Sequence, residues 1–344
     1  MISELSAQVL HWFKVRKSKK QKTEFIAFLC QELAKDGHIV NVEETWGLIR
    51  NRNIIVGDVR SADIICGAHY DTPARLPIPN LITPKNWFLL ILYQLFVSVF
   101  ILLPALLIAL IAAIATNIAG IDIIGELRVF MWTFLFLAIL ALYLVYSGPA
   151  NPNNHNDNTS GTITLIEILK KLPIDERPKV AFVFFDNEEK GLIGSYKFVK
   201  LHRKELSGKL IVNFDCVSDG DTMLMVPNRK MRKDARLSET FASSFVLFAD
   251  AFGKEILFTS AFLPSDQIHF IGNETVVIGA MRKIKGVGLY LGRIHTSRDV
   301  IFDERNIKLL SDGICLFICR MEYGYSRLEE PSSTKEAYST PLAL

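Results

Sequence analysis

The stretch that decides the reading is VAFVFFDNEEKGLIG, residues 180–194, where an unbroken apolar run meets two adjacent carboxylates, Glu188 and Glu189. Val180 to Phe185 is β-branched and aromatic, long enough for a central strand and too short for an ordinary helix, and Asp186 and Asn187 close it. Ligand and catalytic groups in open α/β sheets gather just beyond such carboxyl ends. Two neighbouring glutamates there repel each other unless a cation holds at least one, so the pair raises the question of a metal. Taken alone it is more often a solvated acidic turn, since charged residues mostly stay in water.

Outward from this point the same arrangement recurs. Downstream, a helix is expected from about Gly194 to Leu206, and then a second core strand, Leu210 to Phe214, ends in Asp215. Upstream, a Pro/Asn-rich loop (Gly148 to Asn156) leads into Asp157-Asn158-Thr159-Ser160-Gly161. Ile163, Leu165, Ile166, Ile168, Leu169 and Leu172 follow as one helix face. Asp157 then falls near a helix N-terminus, where exposed amides favour a carboxylate; the plainer use of that position is an N-cap. Further upstream the runs Ile39 to Val42, Trp46 to Ile49, Asn53 to Val56 and Ile64 to Cys66 read as strands, the last ending in Gly67-Ala68-His69-Tyr70-Asp71. If that strand continues, His69 and Asp71 face the same way. This suits a metal-binding imidazole whose second nitrogen is held by a carboxylate.

The chain opens with two amphipathic helices. Leu5, Val9, Trp12 and Phe13 mark the first; after the basic break Lys17 to Lys20, Thr23 is the expected cap of a second helix carrying Phe25, Phe28, Leu29 and Leu33 and stopped by Gly37. Toward the C-terminus come a short strand around Met223 to Val226, a helix from about Leu237 to Phe252, and apolar runs at Ile256 to Phe258 and Val276 to Ile278. Ile294-His295-Thr296-Ser297-Arg298-Asp299 and a last helix from about Asn306 to Tyr323 complete the ordered part. Residues 326–344, rich in Ser, Pro and Thr, read as a disordered tail.

The hydrophobic half of the composition is unevenly spread over the 344 residues, most of the excess lying between Trp87 and Tyr146. From Trp87 to Thr116 there is no charged residue across 30 positions. At the helical rise this exceeds what is needed to cross a hydrocarbon core of roughly 30 Å. A short connection, Asn117 to Arg128, leads to a second run of spanning length, Val129 to Ser147. Together, residues 86–147 read as a transmembrane hairpin, with spans at about 87–116 and 129–147 and a kink or tilt at Pro104. The lipid bilayer is thus an expected partner. A hairpin returns the chain to the side it left, so 1–85 and 148–325 can fold as one discontinuous domain. Basic residues before the first span (Lys14, Arg16, Lys17, Lys19, Lys20, Arg75, Lys85) outnumber the lone Arg128 of the connection, which favours a cytoplasmic globular part. No cleavable signal peptide is evident at the N-terminus.

A net charge of +3 offers no electrostatic case for nucleic acid. The five cysteines, Cys30, Cys66, Cys216, Cys315 and Cys319, sit in apolar stretches without paired spacing and read as small buried hydrophobes in a reducing compartment. His155, His202 and His269 have no strand-end placement and are left out of the site. Oligomeric state is open.

The polar residues that terminate buried strands or open helices are His69, Asp157, Glu188, Glu189, Asp215 and His295. Two imidazoles with carboxylates suit zinc. Five ligands with one shared fit two metal ions, and the sixth residue is then a base.

These segments resemble a known family, the co-catalytic zinc exopeptidases of metallopeptidase family 28: GAHYD at 67–71, DNTSG at 157–161, NEE at 187–189, NFD at 213–215 and IHTSRD at 294–299, all in the family order. The resemblance covers the chain apart from hairpin and tail. It implies a three-layer αβα fold with a mixed, mostly parallel central sheet, two Zn2+ and a peptide substrate. His69 and Asp215 would bind one zinc, Glu189 and His295 the other, with Asp157 bridging. Glu188 would be the general base that takes a proton from the attacking water and passes it to the leaving amine, and Asp71 would orient His69. Ser265-Asp266-Gln267 resembles a family segment that usually reads SDH, so Gln267 stands where a histidine is expected. The leading expectation is a membrane-anchored di-zinc aminopeptidase, with carboxypeptidase and dipeptidase not separated from it. The alternatives are a one-zinc glutaminyl-cyclase-like acyltransferase, against which the full donor set argues, and a non-catalytic scaffold of the same fold.

Overall fold

The protein is described from a computed structural model covering residues 1–47 and 49–321. In chain order the helices are α1 (Glu4–Trp12), α2 (Lys19–Lys35), α3 (Trp87–Ile118), α4 (Ile123–Ser147), α5 (Gly161–Lys171), α6 (Ile193–His202), α7 (Arg229–Lys233), α8 (Ala235–Phe252) and α9 (Glu304–Arg320). The strands are β1 (Val40–Thr45), β2 (Asn51–Val56), β3 (Ile64–His69), β4 (Val180–Phe185), β5 (Leu210–Phe214), β6 (Thr222–Pro227), β7 (Glu255–Phe258), β8 (Glu274–Ile284) and β9 (Gly288–Tyr290). They form one mixed sheet in the order β1-β2-β4-β3-β5-β8-β6-β7, with β9 paired to β8. The centre, β4-β3-β5-β8, is parallel, and antiparallel pairing takes over toward both edges except between β6 and β7.

Strand β4 shows why such a sheet needs two covering layers. Its side chains alternate between faces. Val180, Phe182 and Phe184 enter a core shared with α1, α2, α5, α8 and α9, whereas Ala181, Val183 and Phe185 enter a second core closed by Phe198 of α6, Leu206 and Phe270. All six are buried, the near-continuous apolar run expected of a parallel strand covered on both sides. The result is the three-layer αβα architecture that the family resemblance implies. Because β3, β4 and β5 run in parallel register, His69 lies opposite Phe185, and Asp215 follows Phe214 at the same edge.

Several expected boundaries move. Trp46 to Ile49 is no strand among the described residues; with Leu48 outside them, 46–50 connect β1 to β2, and Trp46 is exposed under the Arg50 guanidinium. Thr23 does not cap α2. Ser18 does, one turn earlier, in a reciprocal capping box with Gln21, so the basic residues 19 and 20 belong to the helix. The second apolar helix begins at Ile123 because the Asp122 carboxylate accepts from Gly125 N (2.9 Å), which takes Glu126 and Arg128 into α4. The last helix starts at Glu304, two residues before its expected start, with Asp303 as its cap, and ends at Arg320; its expected end at Tyr323 and the expected tail at 326–344 lie outside the described residues.

Helices α3 and α4 are long and apolar enough to cross a membrane, and in their most hydropathic windows only 11% and 0% of residues are buried. A soluble protein would hide such surface in its core. Pro104 lies inside α3.

Candidate metal centre

The six residues singled out by their placement converge on one cavity of about 320 Å³, lined by His69, Asp157, Glu188, Glu189, Asp215 and His295. His69 and Asp215 stand at the carboxyl ends of β3 and β5, with His69 Nε2 3.6 Å from Asp215 Oδ1. Asp157 Oδ1 is 3.5 Å from His69 Nε2, while its Oδ2 is 3.2 Å from His295 Nε2. His295 Nε2 is in turn 3.5 Å from Glu189 Oε2. One carboxylate therefore faces two donor groups, His69 with Asp215 and His295 with Glu189.

These donors are arranged for a cation. Glu189 Oε1 and Asp215 Oδ1 are buried without a hydrogen-bond partner, an expensive state for a carboxylate unless a charge completes it. Burial, reinforced by neighbouring carboxylates, pushes Glu188 and Glu189 well above the usual carboxylate range. Donor atoms of His69, Asp157 and Glu189 lie within 4.8 Å of one another, as do those of His69, Glu188 and Asp215. The mixture of imidazole nitrogen and carboxylate oxygen fits zinc, and no geometry of a bound ion is needed to see that the set fits.

The tautomer of His69 follows from its second nitrogen. Nδ1 donates to the Asp71 carbonyl (3.1 Å), which leaves Nε2 with a lone pair toward Asp157 and Asp215. The expected contact with the Asp71 carboxylate is longer, 3.7 Å. That carboxylate instead accepts from Glu188 N (2.9 Å), because β3 ends at His69 and the chain turns. Asp71 thus joins the histidine to the Glu188 turn. Burial would raise its pKa, but Lys22 and His69 outweigh burial and hold it down at about 2.

The strain of the site is local. Among the described residues, the non-glycine positions with positive φ are Asn187, Leu192, Cys216 and His295. They bracket Glu188–Glu189, follow Asp215, and include a donor itself, which is where such conformations collect. Gly194 has no room for a side chain, since a Cβ would come 2.2 Å from the Asp186 carbonyl. The start of α6 is therefore pressed against the turn that aims the glutamates.

Asp157 does not cap α5. It sits in a kinked turn, residues 155–160, and Asn158 Oδ1 accepts from Gly161 N instead (2.9 Å). The turn is stitched to the segment after β5: Asn156 Oδ1 accepts from Ser218 N (2.7 Å), and Ser160 Oγ accepts from Val217 N (2.9 Å). Behind it, Asp299 accepts from the backbone N–H of Asn156 (2.8 Å) and Asp157 (3.0 Å). Sequence reading assigned Asp299 no role, although it closes the IHTSRD segment. Lys22 and Arg16 were also missed. Lys22 is buried on α2 with Nζ bonded to Asp186 and Asn187 (2.9 Å to the latter). Arg16, fully buried, reaches the Tyr70 and Phe13 carbonyls and Thr159 Oγ1 (3.1 Å), and burial lowers its pKa to about 10. A lysine and an arginine in a basic N-terminal run carry no sequence signal for such burial.

The remaining histidines lie elsewhere, whereas Cys216 lines the cavity beside Asp215. His202 is clamped by Glu43 and Glu205, each 2.6 Å away, and His269 meets Ser195 Oγ (3.0 Å). His155 is half-buried and does not line the cavity. Cys216 is buried and its thiol is pushed up by burial, which suits packing. Gln267, in the position of the family histidine, does not line the cavity, and its Nε2 donates to the Leu263 carbonyl (2.7 Å).

The legs of the apolar hairpin cross this site. Leu76 N donates to the His295 carbonyl (2.8 Å), Ile82 bridges Leu291, and Asn151 Nδ2 donates to the Thr296 carbonyl (2.9 Å). Val145 and Tyr146, at the end of α4, line the cavity beside Ile82 and Leu291.

Residues 148–315 match the sequence model of peptidase family M28. No curated protein matches the chain. Among solved structures, the glutaminyl cyclase of Porphyromonas gingivalis is 15% identical, over 92% of this chain and 95% of that one, with a TM-score of 0.57. A Zn-dependent exopeptidase from Parabacteroides distasonis is 14% identical over 92% and 96%, TM-score 0.58. The LapA aminopeptidase of Legionella pneumophila is 13% identical over 95% and 69%, TM-score 0.55. At these identities the likeness is one of fold, the zinc-exopeptidase fold. Family and fold together support zinc-dependent exopeptidase or glutaminyl-cyclase-like chemistry.

Proposed function

From the match of residues 148–315 to peptidase family M28, we propose that this chain is a membrane-anchored di-zinc exopeptidase, an aminopeptidase by preference, acting on peptides. The observation that carries the reading is the sharing of Asp157 between His69 with Asp215 on one side and His295 with Glu189 on the other. A one-zinc cyclase needs only one such group, so the second favours hydrolysis with two metals.

In this reading His69, Asp157 and Asp215 would hold one zinc, and Asp157, Glu189 and His295 would hold the other. The chemistry supplied at these donors would be Lewis-acid polarisation of the scissile carbonyl and a lowered pKa for the attacking water. Glu188 takes the proton from the attacking water and delivers it to the departing amine, a role for which a carboxylate of raised proton affinity is suited. Asp71 keeps His69 in the tautomer that presents Nε2 and ties it to the Glu188 backbone. Ile82, Val145, Leu263 and Leu291 supply the apolar wall of the cavity. Residues 1–85 and 148–325 make up the catalytic domain, and 86–147 the bilayer-crossing hairpin, with the catalytic side cytoplasmic.

The test is Glu188→Gln in zinc-loaded protein assayed against aminoacyl, dipeptide and amino-terminal glutamine substrates. Turnover is expected to fall by roughly 10²–10⁴-fold with zinc content unchanged. Unaltered turnover removes Glu188 from its role, and release of cyclised product without peptide-bond cleavage replaces the peptidase reading with the cyclase one.

A further inference from the structure

Beyond the Leu263–Pro264 wall of the catalytic cavity lies a second concavity, of about 400 Å³, that contains none of the donor residues. Its rim is apolar and uncovered: Ile271 is 89% exposed, Ile268 45% and Phe262 38%. It is continuous with the hairpin. The Phe262 ring lies 4.7 Å from that of Trp87, the first residue of α3, and Phe262 N donates to the Pro84 carbonyl (2.9 Å). On the other side it meets α7, where Met231 is buried and Arg229, Lys230, Arg232 and Lys233 are exposed. Arg232 lines the concavity and bonds Ser260, and Lys230 pairs with Glu274 (3.1 Å). Isolated exposed apolar residues need no explanation. Here they are contiguous with one another, with a Trp at the mouth of a span, and with a cluster of cations.

We propose that this patch is a second membrane contact, its occupant the headgroup layer of an anionic phospholipid bilayer. Ile268 and Ile271 enter the interface, Trp87 and Phe262 sit at headgroup level, and Arg229, Arg232 and Lys233 face lipid phosphate. The inference rests on the reading of α3 and α4 as spans, since continuity with them selects lipid over other occupants. Aromatic residues favour the interface, and basic residues beside a span favour an anionic leaflet. With both the patch and the ends of the hairpin at the membrane, the catalytic domain is held in one orientation. Its cavity, which shares Leu263 and Pro264 with the patch and is lined by Val145 and Tyr146, opens along the membrane surface.

The experiment uses the full chain in nanodiscs of phosphatidylcholine with or without phosphatidylglycerol, with exposed Cys319 replaced by Ser. An environment-sensitive fluorophore is placed at Ile271→Cys, at Trp132→Cys within α4, or at exposed Ile174→Cys, which follows α5 on the face of the sheet opposite to Phe270. Spin-labelled lipid is expected to quench the labels at 271 and 132 and to spare the one at 174. Omitting phosphatidylglycerol, or combining Arg229→Glu, Arg232→Glu and Lys233→Glu, is expected to weaken quenching at 271 several-fold while 132 is unchanged. If 132 is quenched and 271 behaves like 174, the docking surface is refuted and the spans stand. If 132 is not quenched, the spans fail and docking fails with them. A signal at 271 that vanishes on dilution in detergent assigns the patch to a second copy, and one that appears only on adding peptide assigns it to substrate; either overturns the proposal.

Discussion

The candidate centre has two halves that meet at Asp157, His69 with Asp215 and His295 with Glu189, and they are held by different forces. His69 and Asp215 end adjacent parallel strands whose backbones are paired over four registered positions, so their spacing follows from the sheet. His295 has no strand beneath it. It adopts a left-handed backbone conformation and is fastened by side chain and backbone contacts from both hairpin legs, Leu76 on one side and Asn151 on the other. Asp157 belongs to neither, since its turn is stitched to 217–219 by Asn156 and Ser160 and to 299 by its own amide. The spacing of His69 and Asp215 follows once the sheet forms, whereas the position of the His295 loop depends on the hairpin legs as well.

The largest effect is expected where the halves meet. Asp157→Asn should strip zinc from both sides and lower turnover by about 10³-fold or more, equivalent to about 4 kcal/mol of barrier; retention of one full zinc equivalent would show that the carboxylate is not shared. His295→Ala should separate the halves, leaving one zinc equivalent bound and turnover down by about 10²-fold, roughly 3 kcal/mol. Loss of both equivalents in that variant breaks the comparison. Asn151→Ala removes one bond to the Thr296 carbonyl and should weaken only the more labile zinc by about tenfold, the lower end for a supporting contact, as read by chelator competition. The smallest effect belongs outside both halves. His202 is held protonated first by Glu43 and also by Glu205, against partial burial, so its pKa is raised. The stability it contributes is present in full below its ordinary value of 6.5 and is lost as pH rises through the higher folded value. His202→Gln should flatten the decline of Tm above that pH without changing zinc content.

The hairpin and the sheet also contrast as readings of sequence. Val180–Phe185 and Leu210–Phe214 were legible to the residue, because an apolar run of strand length closed by a carboxylate has few other interpretations. The two long apolar helices were equally plain by length, yet the start of the second was misplaced by six residues, since a single Asp122 cap can carry two charged residues into a helix. Thr23 failed as a cap because Ser18 and Gln21 offered a reciprocal pair. Trp46 to Ile49 was misread because Trp46 and Ile49, its described apolar residues, lie outside any strand. The six residues that line the cavity could be singled out because each one ends a buried strand or lies in a polar turn beside an apolar run. Lys22, Arg16 and Asp299 were not, because the partners that bury them come from elsewhere in the chain: Asp186 is 164 residues from Lys22, and Thr159 is 143 residues from Arg16.

By itself the sequence pointed to which residues could carry the chemistry, to their gathering at one edge of a sheet, and to two long apolar helices between His69 and Asp157. All of these follow from local composition and period, which act over a few residues. Only the tertiary structure decided that Asp157 faces both histidines, that Asp71 meets the Glu188 backbone more closely than the His69 ring, and that the hairpin legs bind the His295 loop. Those are matters of distance between segments far apart in the chain, set by how strands register and how turns are stitched, and no local pattern encodes them.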